Sequence, residues 1–156
     1  MTDRRGPALR VMLVDDHTLV RSAIRQAIST PDLEVVAEAS TGEEAVEQAL
    51  RLRPDVILLD IDLPGLSGLG VVRELAPRLP RPKIVMLTVS SASRDVFEAI
   101  GLGAAGYLTK DLSPDALLRS VRGVADGDLA MPRRMAAQVL QHLAARRRPA
   151  GLAPSR

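Results

Sequence analysis

The sequence of 156 residues is 46% hydrophobic and 26% charged, a balance that is typical of globular domains and excludes a disordered or fibrous chain. It contains no cysteine, which excludes disulfide frameworks, thiolate zinc sites and thiol catalysis. Since no apolar stretch has the length of a membrane span or the pattern of a signal peptide, we expect a soluble cytoplasmic protein without a membrane partner.

The net charge of +2 combines an acidic body with a basic tail. Residues 1–132 carry 15 basic and 19 acidic side chains, whereas six arginines and no acid follow Asp128. One hypothesis is therefore a DNA-binding protein whose tail contacts phosphates. A solvated helix end and linker is the favoured interpretation, because one Phe, one Tyr and no Trp leave no aromatic platform for base stacking.

Five short apolar runs recur along the chain, and most of them are continuous rather than alternating. Continuous runs are typical of strands that are covered on both faces in a parallel sheet. The predicted strands centre on Val11-Met12-Leu13-Val14, Val35-Val36-Ala37, Val56-Ile57-Leu58-Leu59, Ile84-Val85-Met86-Leu87 and Gly106-Tyr107-Leu108.

Segments with helical spacing of apolar residues separate these runs. They predict helices over 19–28, from a capping box at Ser40 or Thr41 through Leu50, and over 69–75, 95–102 and 113–125. The alternation predicts an α/β domain over 9–128 with right-handed crossovers. In the remaining segment, 129–156, a spacing of four residues predicts a linker helix before a tail of linker composition, through Met135, Val139 and Leu143.

Polar side chains follow four of the five predicted strands at the point where each ends. These residues are Asp15 with Asp16, Asp60, Thr88 and Lys110. In an open parallel sheet, ligands bind outside the carboxyl ends of the strands. Clustered carboxylates bind a hard divalent cation, and Mg²⁺ is the usual one where a phosphoryl group shares the site. A lysine and a hydroxyl bind phosphoryl oxygens, and a carboxylate is the nucleophile in aspartyl-phosphate chemistry.

Each of these residues has a simpler interpretation when it is taken alone. Asp15 and Asp16 would cap the first helix, and Asp60 would belong to a turn. Thr88 would be an ordinary hydroxyl at a strand end, and Lys110 would be a solvated charge. Their joint occurrence at successive strand ends favours the phosphorylated, metal-bound site.

Four motifs resemble the receiver domain of two-component response regulators. They are Val14-Asp15-Asp16-His17, Leu58-Leu59-Asp60-Ile61-Asp62-Leu63-Pro64-Gly65, Met86-Leu87-Thr88 and Gly106-Tyr107-Leu108-Thr109-Lys110. Leu19-Val20-Arg21 and Gly103-Ala104-Ala105 resemble the NarL/FixJ subfamily, which carries a LuxR-type helix-turn-helix. The resemblance implies a flavodoxin-like, doubly wound α/β fold, with a five-stranded parallel sheet in the order 2-1-3-4-5 and five flanking helices.

For the acidic residues, the resemblance implies a phosphoacceptor and its metal site. Asp60 accepts a phosphoryl group from the phosphohistidine of a sensor histidine kinase. Mg²⁺ is bound by Asp16 and Asp60, by Asp15 directly or through water, and by the backbone carbonyl of Asp62. The side chain of Asp62 is expected to point toward the phosphoryl group, so we hypothesise that Asp62 sets the lifetime of the aspartyl phosphate.

For the remaining residues, the resemblance implies a conformational switch rather than a turnover enzyme. Thr88 and Lys110 bind the phosphoryl oxygens, and the movement of Thr88 lets Tyr107 turn inward. Taken alone, Tyr107 would be an ordinary core residue. The protein would catalyse only its own phosphorylation and dephosphorylation, and it would form a homodimer when phosphorylated.

The sequence departs from the LuxR-type pattern because no helix-turn-helix follows the tail. We expect either a truncated chain that ends at the linker, which we favour, or a natural stand-alone receiver that acts through protein binding. DNA would then be bound only by an output domain that is absent from these residues.

One alternative interpretation of the chemistry is open, and one kind of site is not predicted. Asp60-Ile61-Asp62 resembles the Asp-x-Asp signature of haloacid-dehalogenase-type phosphatases, although that signature normally follows the first strand and here two strands precede it. His17 and His142 are far apart in the sequence with no further ligands evident nearby, so the sequence does not predict a transition-metal site.

Overall fold

A computed structural model of the chain describes residues 8–79, 83–89, 94–128 and 130–131. It also describes the positions 137, 140, 141, 144 and 145. Within this part, five strands alternate with five helices. The strands are β1 (Leu9–Val14), β2 (Leu33–Ala39), β3 (Val56–Asp60), β4 (Lys83–Thr88) and β5 (Gly106–Thr109). The helices are α1 (Thr18–Ala27), α2 (Gly42–Leu52), α3 (Gly68–Leu75), α4 (Arg94–Leu102) and α5 (Pro114–Ala125).

All strand pairs are parallel, and the sheet order is β2-β1-β3-β4-β5. The predicted flavodoxin-like α/β fold and its order 2-1-3-4-5 are confirmed. The register aligns Val14 with Leu59, and Leu59 with Met86, so that β1, β3 and β4 end at the same edge of the sheet.

Two apolar layers cover the sheet, which explains why the strand sequences are continuous rather than alternating. Successive side chains of a strand point to opposite faces, so Met12 and Ile57 belong to one layer and Val11 and Leu58 to the other. The first layer contains buried residues of α2, α3 and α4. The second contains buried residues of α5 and Ile28, which directly follows α1.

The helix starts distinguish between the capping alternatives that the sequence left open. Thr41 is the N-cap of α2, and its hydroxyl accepts a hydrogen bond from the Glu44 amide at 3.1 Å. The Glu44 carboxylate accepts a hydrogen bond from the amide of Ser40, one residue before the cap, at 2.8 Å, so Thr41 is the cap and the return bond goes to Ser40. His17, rather than Asp15 or Asp16, is the N-cap of α1.

The chain continues to pack against the sheet after α5. Ala130 forms a parallel bridge with Gly106, and its carbonyl accepts a hydrogen bond from the Tyr107 amide at 2.6 Å. Met131 packs against the apolar layer that contains Tyr107. The predicted tail helix around Met135, Val139 and Leu143 lies outside the described residues.

Candidate phosphoacceptor and metal site

The predicted site residues lie together because four parallel strands end at one edge of the sheet. Asp15 directly follows β1, Asp60 ends β3, Thr88 ends β4 and Lys110 directly follows β5. Nζ of Lys110 lies 2.8 Å from Oδ2 of Asp15 and 3.0 Å from Oδ2 of Asp60. The ammonium group therefore joins the ends of three strands.

Burial and charge oppose each other within this group. Asp15, Asp60 and Thr88 are the buried polar or charged residues of the described chain, and the Asp15 side chain is only 1% exposed. Burial raises the pKa of Asp60 above its ordinary value, although the hydrogen bond and the charge of Lys110 oppose that rise. Burial alone would lower the pKa of Lys110, but the contacts with Asp15 and Asp60 outweigh it and raise this pKa.

Backbone contacts on both sides of Asp60 fix the direction of its carboxylate. The amide of Ile61 donates to the Leu87 carbonyl at 3.1 Å, which continues the pairing of β3 with β4 past Asp60. The amide of Asp62 donates to Oδ1 of Asp60 at 3.0 Å. Since Oδ2 contacts Lys110, each oxygen of the carboxylate has a defined neighbour.

Gly68 allows the first turn of α3 to lie directly against the end of β3. A Cβ at this position would lie 2.5 Å from the carbonyl oxygen of Asp60 and 2.8 Å from Cα of Ile61, closer than real side chains approach. The Gly68 amide also donates to the Ile61 carbonyl at 3.0 Å. The sequence analysis did not single out Gly68, because nothing in its local pattern reports a close approach by another segment.

His17, which follows the acidic pair, was given no role at the site by the sequence analysis. Its Nδ1 lies 3.2 Å from Oδ1 of Asp15 and 3.2 Å from Oδ1 of Asp16. The expectation that His17 has no further ligands nearby is wrong, because the ring of this N-cap residue folds back over both carboxylates. The His17 amide donates to the same Asp15 oxygen at 2.8 Å, which holds the turn between β1 and α1.

The donor set fits a divalent cation. Asp15, Asp16, His17 and Asp60 each offer a ligand atom, and these atoms all lie within 4.8 Å of one another. Oδ2 of Asp15 is buried and accepts no aligned hydrogen bond from the described residues, although it lies in ion-pair contact with Lys110. Clustered carboxylate oxygens are the ligands that Mg²⁺ prefers. The side chain of Asp62 is exposed and lies outside this set.

Thr88 and Tyr107 occupy adjacent strands below the site. Both are buried, and Tyr107 is a fully buried member of one apolar layer. Its register partner on β4 is Met86, and Thr88 is paired with Thr109, one residue before Lys110. Burial, together with the charge of Asp111, raises the pKa of the Tyr107 hydroxyl. The Tyr107 ring thus lies inward in this structure, as an ordinary core residue does, and its inward turn on phosphorylation stays a prediction.

A comparison with family models shows which kind of domain this is. The family model described as the response regulator receiver domain matches residues 11–122. The chain belongs to this family. The matched segment includes every residue that the structure brings together at the carboxyl ends of the strands.

Curated relatives place the chain among NarL-type response regulators. It is 46% identical over 127 residues to the nitrate/nitrite response regulator protein NarP of Escherichia coli K12, which covers 81% of this chain and 59% of that protein. It is 43% identical over 124 residues to a nitrate/nitrite response regulator homologue of Haemophilus influenzae, which covers 79% of this chain and 60% of the relative. The chain therefore spans about three-fifths of the curated relatives that it matches.

Solved receiver structures share the fold. The receiver domain of the putative response regulator NarL from Mycobacterium tuberculosis is 32% identical with a TM-score of 0.74, and the match covers 78% of this chain and 99% of that one. A LuxR-family response regulator from Aurantimonas sp. SI85-9A1 is 31% identical with a TM-score of 0.79, with 88% and 99% coverage. No helix among the described residues has the length and hydropathy that a membrane crossing requires.

Proposed function

We propose that this chain is the phosphorylation-controlled receiver of a NarL-type transcription regulator, extending over residues 9–128, with 129–156 as linker and tail. A sensor histidine kinase supplies the phosphoryl group, and the response is dimerisation and control of transcription through a DNA-binding domain outside this chain. The observation that carries the proposal is the buried Asp60 carboxylate at the end of β3, with Lys110 3.0 Å from one oxygen and three further ligand groups beside it. We also propose that the protein is cytoplasmic.

Each residue at the site has a distinct task in this proposal. An oxygen of Asp60 attacks the phosphorus of phosphohistidine, the P–N bond breaks, and the imidazole of the kinase leaves after it is protonated. Lys110 lies beside Asp60 and neutralises part of the charge that the phosphoryl oxygens bring. Thr88 donates a hydrogen bond to a phosphoryl oxygen. Asp15, Asp16 and Asp60 would hold Mg²⁺, whose charge would further neutralise the transferred phosphoryl group.

The proposed switch follows from the addition of a phosphoryl dianion to a site in which an ammonium group already contacts carboxylates. Lys110 contacts two carboxylates, and a phosphoryl group on Asp60 gives its ammonium a new partner. Movement of Thr88 toward that group changes the end of β4, next to the strand that carries Tyr107. The face formed by α4 and β5 then repacks, which alters the surface available to a second copy.

The proposal is tested by the intact mass of the protein after incubation with a small acyl phosphate donor, with and without Mg²⁺. One phosphoryl increment that requires Mg²⁺ and is absent from Asp60→Asn supports the receiver mechanism. Catalytic release of phosphate from phosphomonoesters without any increment would contradict it and favour the haloacid-dehalogenase alternative. The receiver-family match and the position of the acidic pair after β1 disfavour that alternative.

Asp62 is proposed to control how long the phosphoryl group remains on Asp60. Its amide already donates to Oδ1 of Asp60, and its exposed carboxylate is free to orient a water molecule or to repel the phosphorylated acceptor. We expect Asp62→Asn to change the lifetime of the aspartyl phosphate several-fold, measured by the decay of the phosphorylated mass over time. Asp115→Asn, at an exposed carboxylate in the first turn of α5, is the control. Equal lifetimes in wild type and Asp62→Asn would end the hypothesis.

A further inference from the structure

His17 adds a nitrogen donor to a group of oxygen donors at the outer side of the site. Nδ1 lies 3.2 Å from an oxygen of Asp15 and from an oxygen of Asp16. The imidazole is 66% exposed, whereas Asp15 and Asp60 are buried beneath it. A cation that enters from solvent therefore meets the imidazole before it meets the buried carboxylates.

The spacing of these atoms suits ligands of one shared cation. Donors that each lie about 2.1 Å from a metal are separated by roughly 3.0 to 3.5 Å when they are neighbours in an octahedral or tetrahedral arrangement. The two 3.2 Å separations between Nδ1 and the carboxylate oxygens fall in that interval. The whole donor set, which spans at most 4.8 Å, is compact enough for a single ion.

The charge balance of the site also matches a divalent cation. Lys110 contacts Oδ2 of Asp15 and Oδ2 of Asp60, while the Oδ1 atom of Asp15 faces His17. Three carboxylates and one ammonium leave two negative charges that the described residues of the cluster do not neutralise. One side of Asp15 is thus committed to Lys110 and the other is available to a metal.

The chemistry of the donors decides which metal is preferred. Mg²⁺ prefers oxygen ligands and gains little from imidazole. Zn²⁺ binds imidazole and carboxylate together, and its affinity for such a mixed site is higher than that of Mg²⁺. We propose that His17 is a ligand that makes this site bind Zn²⁺ more tightly than Mg²⁺. This inference rests on the proposed metal site at Asp15, Asp16 and Asp60. It adds a transition-metal ion as a competitor for the cation that supports phosphorylation.

The two histidines of the sequence make the proposal directly measurable in the full chain. Long-range ¹H–¹⁵N spectra of the imidazoles are recorded during parallel titrations with ZnCl₂ and MgCl₂. We expect Zn²⁺ to shift the Nδ1 resonance of His17 at saturation of the site, and Mg²⁺ to leave that nitrogen uncoordinated. His142 provides the internal control, because it is the other histidine of the sequence and no ligand role is proposed for it.

Dissociation constants from calorimetry with the same two chlorides complete the test. We expect His17→Asn to weaken Zn²⁺ binding about 10-fold to 100-fold and to change Mg²⁺ binding less than about two-fold. His142→Asn should alter neither. An unshifted His17 nitrogen at Zn²⁺ saturation, or equal losses for both ions in His17→Asn, overturns the inference while Mg²⁺ binding upholds the proposed function. Failure of wild type to bind either ion overturns the inference and the proposed metal site together.

Discussion

Lys110 lies between two carboxylates inside the protein, whereas Arg122 binds one carboxylate at its surface. The Lys110 side chain is 13% exposed, and Nζ contacts Asp15 and Asp60 at the carboxyl end of the sheet. The Arg122 side chain is 45% exposed and donates two hydrogen bonds, of 2.9 and 2.8 Å, to Asp32 near the start of β2. Both are ion pairs of strand ends, but their surroundings differ.

The difference separates an ion pair that stabilises the fold from the site that we propose for phosphorylation. The bidentate bonds from Arg122 hold the pKa of Asp32 well below its ordinary value, so that this carboxylate prefers to be charged in the folded protein. Burial instead raises the pKa of Asp60, so that its charge is disfavoured by folding. A buried carboxylate whose charge is incompletely neutralised lowers the stability of the fold. Binding a cation or accepting a phosphoryl group relieves that unfavourable charge.

The largest expected effect comes from removal of the buried cation. Lys110→Met keeps the length of the side chain but leaves Asp15 and Asp60 without their ammonium partner, and we expect a loss of about 3 kcal/mol in the free energy of unfolding. Urea denaturation of wild type and Lys110→Met measures this loss in the free energy of unfolding.

The control for this variant is Lys83→Met, at the other lysine of the sequence. Lys83 contacts two backbone carbonyls of α5, at 3.3 and 3.4 Å, so we expect a loss of about 1 kcal/mol. Combining Lys110→Met with Asp60→Asn should restore more than half of the loss. A cost no larger than that of Lys83→Met would show that the buried cluster does not depend on its cation.

A smaller loss is expected where a helix meets the acceptor strand. Gly68→Ala places a Cβ 2.5 Å from the Asp60 carbonyl oxygen, which forces the backbone of α3 or β3 to move. We expect a destabilisation of about 2 kcal/mol and slower phosphorylation of Asp60, followed by denaturation and by the rate of the mass increment.

Gly123→Ala, inside α5, serves as the matched substitution. Its Cβ would meet only the side-chain oxygen of Asp128 closely, at 3.1 Å, and that side chain can rotate away. We expect it to change stability by less than about 1 kcal/mol, with unchanged phosphorylation. Equal behaviour of the two alanine variants would remove the close approach at Gly68 as a positioning feature of the site.

A modest gain in stability is expected when the acceptor loses its charge. Asp60→Asn retains an oxygen that accepts the Asp62 hydrogen bond and removes a carboxylate that burial disfavours. We expect an increase of roughly 0.5 to 2 kcal/mol in the free energy of unfolding at pH 7, together with loss of phosphorylation. Thermal denaturation at low ionic strength is the measurement. A lower midpoint in Asp60→Asn would mean that the Lys110 contact outweighs the cost of burial.

The smallest effect belongs to the exposed pair. Arg122→Ala should cost about 0.5 kcal/mol at pH 7, because solvent screens the interaction with Asp32. The pKa of Asp32 is lowered in the folded state, so this contribution is present above the unfolded pKa of about 3.9 and is lost as the pH falls further. The difference between wild type and Arg122→Ala should therefore shrink between pH 5 and about pH 2. Arg119→Ala, at another exposed position of the same helix, should show no such pH dependence.

The sheet and its polar strand ends were predictable because they depend on local patterns that repeat along the chain. Continuous apolar runs such as 56–59 indicated strands covered on both sides, and the structure places β3 between β1 and β4. Once the strands are parallel, residues that follow them must meet at one edge. Asp15, Asp60 and Lys110 were found in this way, without knowledge of any distance.

The remaining features depend on contacts between segments that no local pattern reports. Gly68 is required by the path of β3, which lies elsewhere in the sequence, and Ala130 pairs with Gly106 across α5. The motif led us to expect the Asp62 side chain to point toward the phosphoryl group on Asp60, and in the structure that side chain is exposed while Asp60 is buried.

Asp60 is the proposed phosphoacceptor, and Asp15 is the other buried carboxylate in contact with Lys110. The most direct test is to phosphorylate the protein in Mg²⁺, reduce the acyl phosphate with borohydride, and locate the modified residue by fragmentation of the peptides. Asp60 alone should be converted, and Asp60→Asn should give no converted residue. Modification at Asp15, Asp16 or Asp62 in wild type, or a modified residue that persists in Asp60→Asn, would contradict this assignment.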